Sequence, residues 1–499
     1  MIMREYNLKK QHDKGKLHAI ERIEALLDKG SFREVEAGIT NIDTDLNLKG
    51  GTLPYDGVIT GYGTIDGRRV CIYSQDATVA GGTLGHNHGQ KIASIINKAV
   101  QYRCPVIGIN DSGGARIQEG VVSLASYGDI FYANTAASGS VPQISIIAGS
   151  CAGGAVYSPG LTDFIFMING IGNMFVTGPK VIKQVTNEDV TTEDIGSASI
   201  HGSVSGVSHF SCRTEEECFR KVRRLLSYIP DSAGEPVRRA DDYKKRRGSI
   251  SEGIVPADPK RSYDIRAVID AIFDDGSFME IHEDFAKNIV IGFARLSGLS
   301  VGIVANQPAF MAGVLDCDSS DKAARFVRFC DCYDIPIVTF VDVPGFFPGI
   351  DQERKGIIRH GAKLLYAYSE ATTRKLTVIL RKAYGGAYIA MCSRHLGADF
   401  VYAWPTAQIA VMGSEGAVDI LYGRQMKNME PAEKMLFAAE KNEEYGRLYM
   451  NADKAFSHGY IDDIISPSET RKRLYDDLAM TADKADGFKA FKKHGNIPL

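Results

Sequence analysis

Residues 150–155, Ser-Cys-Ala-Gly-Gly-Ala, place two candidate nucleophiles and a glycine pair directly after an apolar, strand-like run. A hydrolase that exposes its nucleophile on a strand-to-helix turn has the pattern GxSxG, whereas the order here is GSCAGG. A glycine pair before a helix offers another chemistry, because a ligand can approach the backbone closely and the first N–H groups of a helix are free to donate. Such a turn stabilises an oxyanion without an ionisable side chain.

The same glycine turn occurs again in the second half of the chain. Residues 382–387, Lys-Ala-Tyr-Gly-Gly-Ala, follow another apolar run and replace the serine and cysteine by lysine and alanine. The feature common to both halves is therefore the glycine turn and not the nucleophile. This pattern predicts two oxyanion sites, one in each half, and it argues against a serine or cysteine hydrolase that uses Ser150 or Cys151.

Two further pairs of segments repeat in the same order. Residues 28–35 match residues 274–281, and residues 105–111 match residues 336–342. Self-similarity of this kind is the signature of a duplicated domain. A stripe of apolar residues at helical spacing precedes a short apolar strand in each half, which predicts an α/β fold with parallel strands covered on both faces. The two stripes are Ile92, Ile95, Ile96, Ala99 and Val100, and Ala323, Phe326, Val327, Cys330 and Tyr333.

The chain has 499 residues, which favours two large domains over one core. Segment 231–262 is polar and rich in proline, glycine and charge, so we predict an N-terminal domain over 1–245 and a C-terminal domain over 255–499.

Composition excludes several classes of function. A net charge of −3 gives no reason to expect nucleic acid as a partner. The charged start, the short apolar runs and nine scattered cysteines predict a cytoplasmic protein with free thiols. The pattern GxxxxGK[ST] is absent, so no P-loop is expected. His86 and His88 have no further ligands nearby in sequence, so no metal site is predicted.

Eight segments, in order along the chain, resemble the carboxyltransferase subunits of biotin-dependent acyl-CoA carboxylases. The resemblance runs from about residue 12 to the C-terminal end and is specific, because it rests on several motifs. It is strongest to the propionyl-CoA carboxylase β and methylmalonyl-CoA carboxyltransferase branch, and nearly as strong to the α subunits of sodium-pumping methylmalonyl-CoA decarboxylases. The segments are SQD (74–76), NDSGGARIQEG (110–120), CAGGAVYSP (151–159), TNEDVT (186–191), VPGFFPG (343–349), GIIRHGAKLLYA (356–367), RKAYGGAYIAM (381–391) and YAWPTAQIAVMGSEGA (402–417).

The resemblance implies tandem crotonase-like (ClpP/crotonase) domains, the first holding acyl-CoA and the second holding biotin carried by a separate protein. A carboxyl group passes between carboxybiotin and the α-carbon of the thioester, so that an enolate oxygen and the ureido oxygen of biotin both gain charge. Biotin nitrogen serves as the base, which explains why no acid–base pair stands out in the sequence.

The resemblance also assigns residues to roles. Backbone amides at Gly153 and Gly154 stabilise the enolate, and those at Gly386 and Ala387 stabilise biotin. The acyl-CoA motif is matched by Gly113, Gly114, Ala115 and Arg116. The biotin motif is matched by Phe346, Phe347 and Gly349. A position that tunes acyl size is matched by Ile389. Propionyl-type members often carry aspartate at the last position, so Ile389 leaves the acyl group open. The N-terminal KGKLHAIERI is a loose version of the family's GKLTARERI; we expect this difference to affect CoA entry and not the chemistry.

The implied partners are an acyl-CoA substrate, a biotin carboxyl carrier protein, and either a biotin carboxylase subunit or a membrane decarboxylase subunit. The implied assembly is a homo-oligomer, commonly a hexamer built as a trimer of dimers. The favoured substrates are propionyl-CoA and methylmalonyl-CoA, and the decarboxylase subunit is the alternative with the same fold. A crotonase-type hydratase or isomerase is a more distant alternative, because it needs paired glutamates and Glu119 is the only obvious candidate. A non-catalytic scaffold is disfavoured by the two intact glycine motifs.

Overall fold

The computed structural model describes residues 6–44, 46, 51–237, 239–241, 243, 250–484 and 496–498. The chain divides into two compact units. Unit 1 comprises Met1–Pro236 with His282–Phe285, and unit 2 comprises Val237–Ile281 with Ala286–Leu499. The predicted end of the first domain, residue 245, lies outside the described residues.

Unit 1 forms one mixed sheet with helices around it. Its described strands are β1 (Arg33–Val35), β2 (Val58–Ile65), β3 (Arg68–Gln75), β4 (Val106–Ser112), β5 (Gln143–Ala152), β6 (Phe164–Ile168), β7 (Asn173–Phe175) and β8 (Phe210–Cys212). Its described helices are α1 (Leu8–His12), α2 (Ala19–Leu26), α3 (His86–Tyr102), α4 (Val121–Ala137), α5 (Tyr157–Leu161), α6 (Pro179–Thr186), α7 (Thr192–Gly196), α8 (Ala198–Ser203) and α9 (Glu215–Tyr228).

Unit 2 repeats this plan. Its described strands are β9 (Met279–Ile281), β10 (Ile289–Leu296), β11 (Leu299–Asn306), β12 (Ile337–Val343), β13 (Lys375–Tyr384), β14 (Phe400–Ala403), β15 (Gln408–Ala410) and β16 (Asp463–Ile464). Its described helices are α10 (Ile265–Ile272), α11 (Cys317–Cys332), α12 (Ile350–Lys355), α13 (Ile357–Glu370), α14 (Gly385–Ala390), α15 (Ser414–Met426), α16 (Pro431–Tyr449), α17 (Ala452–Ser457) and α18 (Thr470–Met480).

The two sheets have the same topology. The strand order is β1-β2-β3-β4-β5-β6-β8 in unit 1, with β7 added on β5, and β9-β10-β11-β12-β13-β14-β16 in unit 2, with β15 added on β13. The first three strands of each sheet pair antiparallel and the later ones pair parallel. The duplicated α/β fold predicted from the sequence is therefore confirmed.

The first repeated segment caps the same hairpin in both units. The carboxylate of Asp28 accepts hydrogen bonds from the backbone of Asp66 at 3.0 Å and Gly67 at 2.9 Å, in the turn between β2 and β3. The carboxylate of Asp274 accepts from the backbone of Ser297 at 3.1 Å and Gly298 at 2.8 Å, in the turn between β10 and β11. The backbone donors of Gly67 and Asp66 hold the pKa of Asp28 well below its usual range.

The predicted helical stripes pack against the sheets. In α3, Ile92, Ile95, Ile96 and Ala99 are buried, whereas Val100 is partly buried. All five residues of the second stripe, in and just after α11, are buried. Such burial fixes each helix against its sheet and so sets the position of the strand ends. Among the described residues, none of the helices combines the length and the hydrophobicity needed to cross a membrane.

Candidate active site

The glycine turn of unit 1 begins where β5 ends. Ala152 has extended backbone, Gly153 turns with φ of +63°, and Gly153–Val156 forms a 3-10 turn that leads into α5. An L-residue is strained at this φ, so glycine is required for the turn. The backbone at Gly153 and Gly154 is partly accessible, and the first N–H groups of the turn lack intrahelical acceptors. The turn therefore presents amide donors to a ligand.

Unit 2 contains the same turn after β13. Tyr384 is extended, Gly385 has φ of +58°, and α14 begins at once. Gly386 is exposed and Ala387 is buried. The repeat therefore aligns Gly385 with Gly153 and Gly386 with Gly154. The residues assigned by resemblance, Gly153 and Gly154 in one half and Gly386 and Ala387 in the other, differ by one position of the repeat.

Each turn lies against an aromatic ring. A Cβ added at Gly154 would lie 3.5 Å from Cδ2 of Tyr127, which belongs to α4. A Cβ added at Gly386 would lie 4.0 Å from Cε2 of Phe346, which follows β12. Tyr127 and Phe346 thus lie beside equivalent glycines of the two turns, although the first belongs to a helix and the second to a loop.

The predicted acyl-CoA motif packs beside the turn of unit 1. Gly114 has φ of +99°, and a Cβ added to it would lie 3.0 Å from the carbonyl oxygen of Ala152, directly before the turn. The Leu84 N–H donates to the Gly114 carbonyl at 2.9 Å, and the Arg116 N–H donates to the Leu84 carbonyl at 2.9 Å. The structure thus brings Gly113–Arg116 together with the glycine turn.

The predicted biotin motif occupies the equivalent loop of unit 2. The Leu315 N–H donates to the Gly345 carbonyl at 3.1 Å, and the Phe347 N–H donates to the Leu315 carbonyl at 2.7 Å. Phe346 and Phe347 therefore correspond to Ala115 and Arg116. Phe346 is partly buried and Phe347 is exposed.

Of the remaining predicted positions, one directly precedes a helix and the other lies within a helix. Gly349, with φ of +138°, immediately precedes α12. Ile389 is partly buried in α14, two residues beyond Ala387.

The side chain of Arg116 is committed to structure. It is buried, and its Nη1 donates to Asp56 at 2.5 Å and Glu119 at 2.7 Å, while Nη2 donates to the Thr83 carbonyl at 2.8 Å. Any contact of Arg116 with acyl-CoA is therefore left to its backbone.

The same contacts remove Glu119 as a general acid. Its carboxylate also accepts from the His86 N–H at 2.5 Å, so both oxygens are occupied in a buried ion pair. A hydratase needs a glutamate that is free to exchange a proton with substrate. The geometry disfavours that alternative.

The two candidate nucleophiles are not activated. Cys151 is fully buried and its thiol donates to the Ala155 carbonyl at 3.3 Å. Burial raises its pKa to about 12, so the reactive thiolate is not formed near neutral pH. The backbone of Ser150 pairs in the sheet with Asn173 of β7, and among the described residues no histidine or carboxylate is hydrogen-bonded to its hydroxyl. The turn therefore offers its backbone and not a nucleophile.

His88 is a structural histidine. It is fully buried, and its Nδ1 donates to the Asp56 carbonyl at 2.8 Å, so Nε2 accepts from the Gln75 amide at 3.1 Å. Burial, helped by the nearby Arg116, lowers its pKa to about 3. The described residues contain no group of three or more histidine, cysteine, aspartate or glutamate side chains arranged to hold a metal ion.

Sequence reasoning missed the N-terminal segment. Arg22 in α2 is fully buried and pairs with Asp111 at the end of β4, and Lys16 lies 3.9 Å from the same carboxylate. The segment KGKLHAIERI therefore reaches the strand end that leads into the Gly113–Arg116 loop, because Asp111 is two residues from Gly113. No local pattern points to this pairing, since its members are far apart in sequence.

Comparison with known proteins agrees with this geometry. A family model described as a carboxyl transferase domain matches residues 10–497. The carboxyltransferase subunit of propionyl-CoA carboxylase from Haloferax mediterranei is 54% identical over 98% of this chain and 95% of its own length. The α subunit of methylmalonyl-CoA decarboxylase from Veillonella parvula is 50% identical over 99% of this chain and 96% of its own length.

A solved structure has the same fold over nearly the whole chain. Transcarboxylase 12S, solved with hydrolysed methylmalonyl-coenzyme A bound, superimposes with a TM-score of 0.94 at 48% identity, covering 99% of this chain and 95% of its own. This match confirms the duplicated crotonase-like architecture. The chain therefore belongs to the carboxyl transferase domain family, and it is a carboxyltransferase.

Proposed function

We propose that this carboxyltransferase moves a carboxyl group between carboxybiotin on a separate carrier protein and the α-carbon of a short-chain acyl-CoA, with propionyl-CoA and methylmalonyl-CoA as the substrate pair. The observation that carries the proposal is the presence of two matching backbone turns, at Gly153-Gly154 and at Gly385-Gly386, in a chain half identical to enzymes named for this pair. One turn for each developing oxyanion is what transfer between two carbonyl-type groups requires.

In unit 1, the amides of Gly153 and Gly154 hold the thioester oxygen as it gains charge. Their positions are set by the backbone, which needs no reorganisation during the reaction. Because Cys151 is buried and Glu119 is held in an ion pair, neither offers a competing nucleophile or acid to the thioester. The loop Gly113–Arg116 supports the turn from one side through the close approach of Gly114 to the Ala152 carbonyl.

In unit 2, the residues fit a flat, neutral ureido ring. The exposed Gly386 leaves space at the turn, the nearby Phe346 adds an apolar wall, and the amides of Gly386 and Ala387 hold the ureido oxygen. When bound, biotin carries the carboxyl group and its nitrogen supplies the base. The chain therefore needs no acid–base pair of its own.

We further propose a homo-oligomer, a hexamer like the assembly described for transcarboxylase 12S. Both units expose large apolar side chains, and contacts between subunits would cover them. Those in unit 1 include Ile117, Val121, Leu124 and Tyr132, and those in unit 2 include Ile420, Leu421, Met435 and Leu436. The additional partners are a biotin carboxyl carrier protein and a biotin carboxylase subunit; a membrane decarboxylase subunit would replace the latter if the chain works in the decarboxylation direction.

The test is a panel of acetyl-, propionyl-, butyryl- and branched acyl-CoA, each assayed as the acceptor of the carboxyl group of free carboxybiotin. We expect propionyl-CoA to give the highest kcat/KM. A preference for acetyl-CoA would overturn the substrate assignment, and hydration of enoyl-CoA without any biotin-dependent exchange would overturn the reaction. Purification of the native complex then separates the two directions, because an ATP-dependent biotin carboxylase or a membrane subunit will accompany the chain.

A further inference from the structure

Both glycine turns follow a break in strand register. In unit 1 the ladder between β4 and β5 runs to Asn110↔Ile147 and resumes at Ser112↔Cys151, so β5 carries additional residues there. In unit 2 the ladder runs to Val341↔Ile379 and resumes at Val343↔Ala383. A bulge of this kind bends a strand and re-aims the residues after it. Each bulge is thus the element that directs its strand into the turn.

A buried aspartate stands opposite each bulge. Asp111 and Asp342 occupy the same repeat position, between the two register pairs, and both are buried. The backbone N–H of each is held in the same way: Asp111 donates to Gln75 at 3.2 Å and Asp342 donates to Asn306 at 3.3 Å. A buried carboxylate is costly unless it is paired.

In unit 1 the pairing arginine comes from helix α2. Arg22 Nη1 donates to Asp111 at 3.1 Å and Nε donates to Glu215 at 2.6 Å. Its Nη2 donates to the carbonyl of Ala148 at 2.7 Å, inside the bulge. One planar guanidinium therefore ties the helix, the aspartate and the bulged backbone together.

In unit 2 the arginine comes from the bulge itself. Arg381 Nε donates to Asp342 at 3.0 Å. The backbone N–H of Lys382, the next bulge residue, donates to the other carboxylate oxygen at 3.1 Å. Arg381 is also held by the carbonyl oxygens of Pro256, Asp258 and Arg261, at 3.2, 2.9 and 2.8 Å.

The different origins of the two arginines have a steric cause. Gly149 occupies the position of unit 1 that Arg381 occupies in unit 2, and a Cβ there would lie 1.9 Å from Oδ1 of Asp111. No side chain fits at Gly149 with the carboxylate in place, so the positive charge has to come from another element. The pairing and its contact with the bulge are common to both units, whereas the source of the arginine is not.

We propose that Arg22 and Arg381 are positioning residues for the two glycine turns, each acting through its aspartate and the bulged strand. The inference rests on the proposed carboxyl transfer for its kinetic readout. Fixing the bulge fixes the direction of the amides beyond it, and a misplacement of about 1 Å at a catalytic group costs on the order of 100-fold in rate. Neither arginine needs to touch substrate for this effect.

The experiment compares Arg22→Met and Arg381→Met with Arg68→Met in the intact assembly. Arg68 is a matched control, since it is also buried and paired, with Asp231 at 2.7 Å, but lies at the start of β3, the sheet end opposite to Asp111. Transfer from methylmalonyl-CoA to free biotin gives kcat and KM, and hydrogen–deuterium exchange reports on peptides 147–156 and 379–388.

For Arg22→Met and Arg381→Met we expect kcat to fall about 10- to 100-fold with KM for methylmalonyl-CoA nearly unchanged. Exchange should rise in peptide 147–156 for the first variant and in peptide 379–388 for the second. Arg68→Met should lose thermal stability while keeping kcat within about twofold. If a methionine variant fails to fold, Arg22→Lys and Arg381→Lys keep the charge without the planar fork, and a several-fold loss in kcat is expected.

An unchanged kcat in the folded arginine variants would overturn the proposal, and so would an equal loss of kcat in Arg68→Met. A uniform rise in exchange over the whole unit would show a structural role only and would also overturn it. If the wild-type chain transfers no carboxyl group, the proposed function fails, but the exchange measurement still tests the positioning role by itself.

Discussion

Units 1 and 2 have the same strand order, the same break in register and the same left-handed glycine at the start of the turn. The side chains around the turns differ. The ring beside the turn is Tyr127, from a helix, in unit 1 and Phe346, from a loop, in unit 2. The arginine that pairs with the buried aspartate is Arg22, from a helix, in unit 1 and Arg381, from a strand, in unit 2. The units share backbone geometry and not side chains, which is why we propose that backbone amides carry their chemistry.

A buried lysine that donates to the backbone is duplicated as well. Lys91 Nζ donates to the carbonyl oxygens of Tyr55, at 3.0 Å, and Val58, and Lys322 Nζ donates to those of Ala286, at 3.3 Å, and Ile289, at 2.8 Å. Each buried lysine satisfies carbonyl oxygens at the start of the central hairpin. The repeat therefore extends to buried polar groups of the sheet, whereas the side chains around the two turns differ.

Valine at the second glycine of either turn should have the largest effect. In Gly154→Val the branched side chain contacts Tyr127 and blocks approach to the amides, so transfer should fall at least about 100-fold. Gly386→Val should do the same at the other turn. Binding measured by calorimetry separates them, since the first variant should lose the CoA thioester and retain biotin, and the second should do the reverse.

Gly160→Val and Gly423→Val are the controls for this pair, because a Cβ at either position meets no atom within 4 Å. Equal losses of both ligands in both turn variants would contradict the assignment of one ligand to each unit.

Low pH should lower the free energy of unfolding of unit 1 through His88. Unit 2 has Ser319 at the equivalent position. The folded pKa of His88, about 3, lies below its usual value near 6.5. The unfolded chain therefore binds an additional proton between these values, and stability is full above pH 6.5 and declines as pH falls toward 3. We expect His88→Gln to flatten this decline. Denaturant unfolding from pH 7 to pH 4 measures it, and identical pH slopes for variant and wild type would refute it.

Alanine at the first glycine should destabilise the two turns to different extents, because the space around a new Cβ differs between them. Gly153→Ala places a Cβ in open space, so only the left-handed φ is unfavourable, at about 1–2 kcal/mol. Gly385→Ala adds a contact of 3.0 Å to the carbonyl oxygen of Val411, so its loss in the free energy of unfolding should be larger. Denaturant midpoints of the two variants give the comparison; a greater loss for Gly153→Ala would be inconsistent with it.

The smallest effect is expected for Cys151→Ala, which gives unit 1 the alanine that unit 2 has at residue 383. The change removes one hydrogen bond from a buried thiol, worth about 1 kcal/mol, and leaves the amides in place. Stability should fall slightly and kcat should stay within about twofold in the transfer assay. Loss of transfer would contradict this expectation and indicate that Cys151 takes part in catalysis.

Much of this could be predicted from the sequence because the signals were local. Alternating helix and strand patterns, and the two segments that end in Gly-Gly-Ala, indicated the duplicated fold and both turns. The parts that could not be predicted depend on contacts between distant residues. Arg22 and Asp111 are joined only by the fold, and the burial of Arg116 against Asp56 and Glu119 gives no signal in the motif that contains it.

We propose that backbone amides, and no titrating side chain, hold both oxyanions. The most direct measurement is kcat for carboxyl transfer from methylmalonyl-CoA to biotin, at saturating substrates, from pH 6.5 to pH 9. We expect a profile that is flat to within about twofold, because amides do not titrate and burial moves the pKa of Cys151 to about 12 and that of His88 to about 3. A bell-shaped profile, or a limb of unit slope within this range, would contradict it.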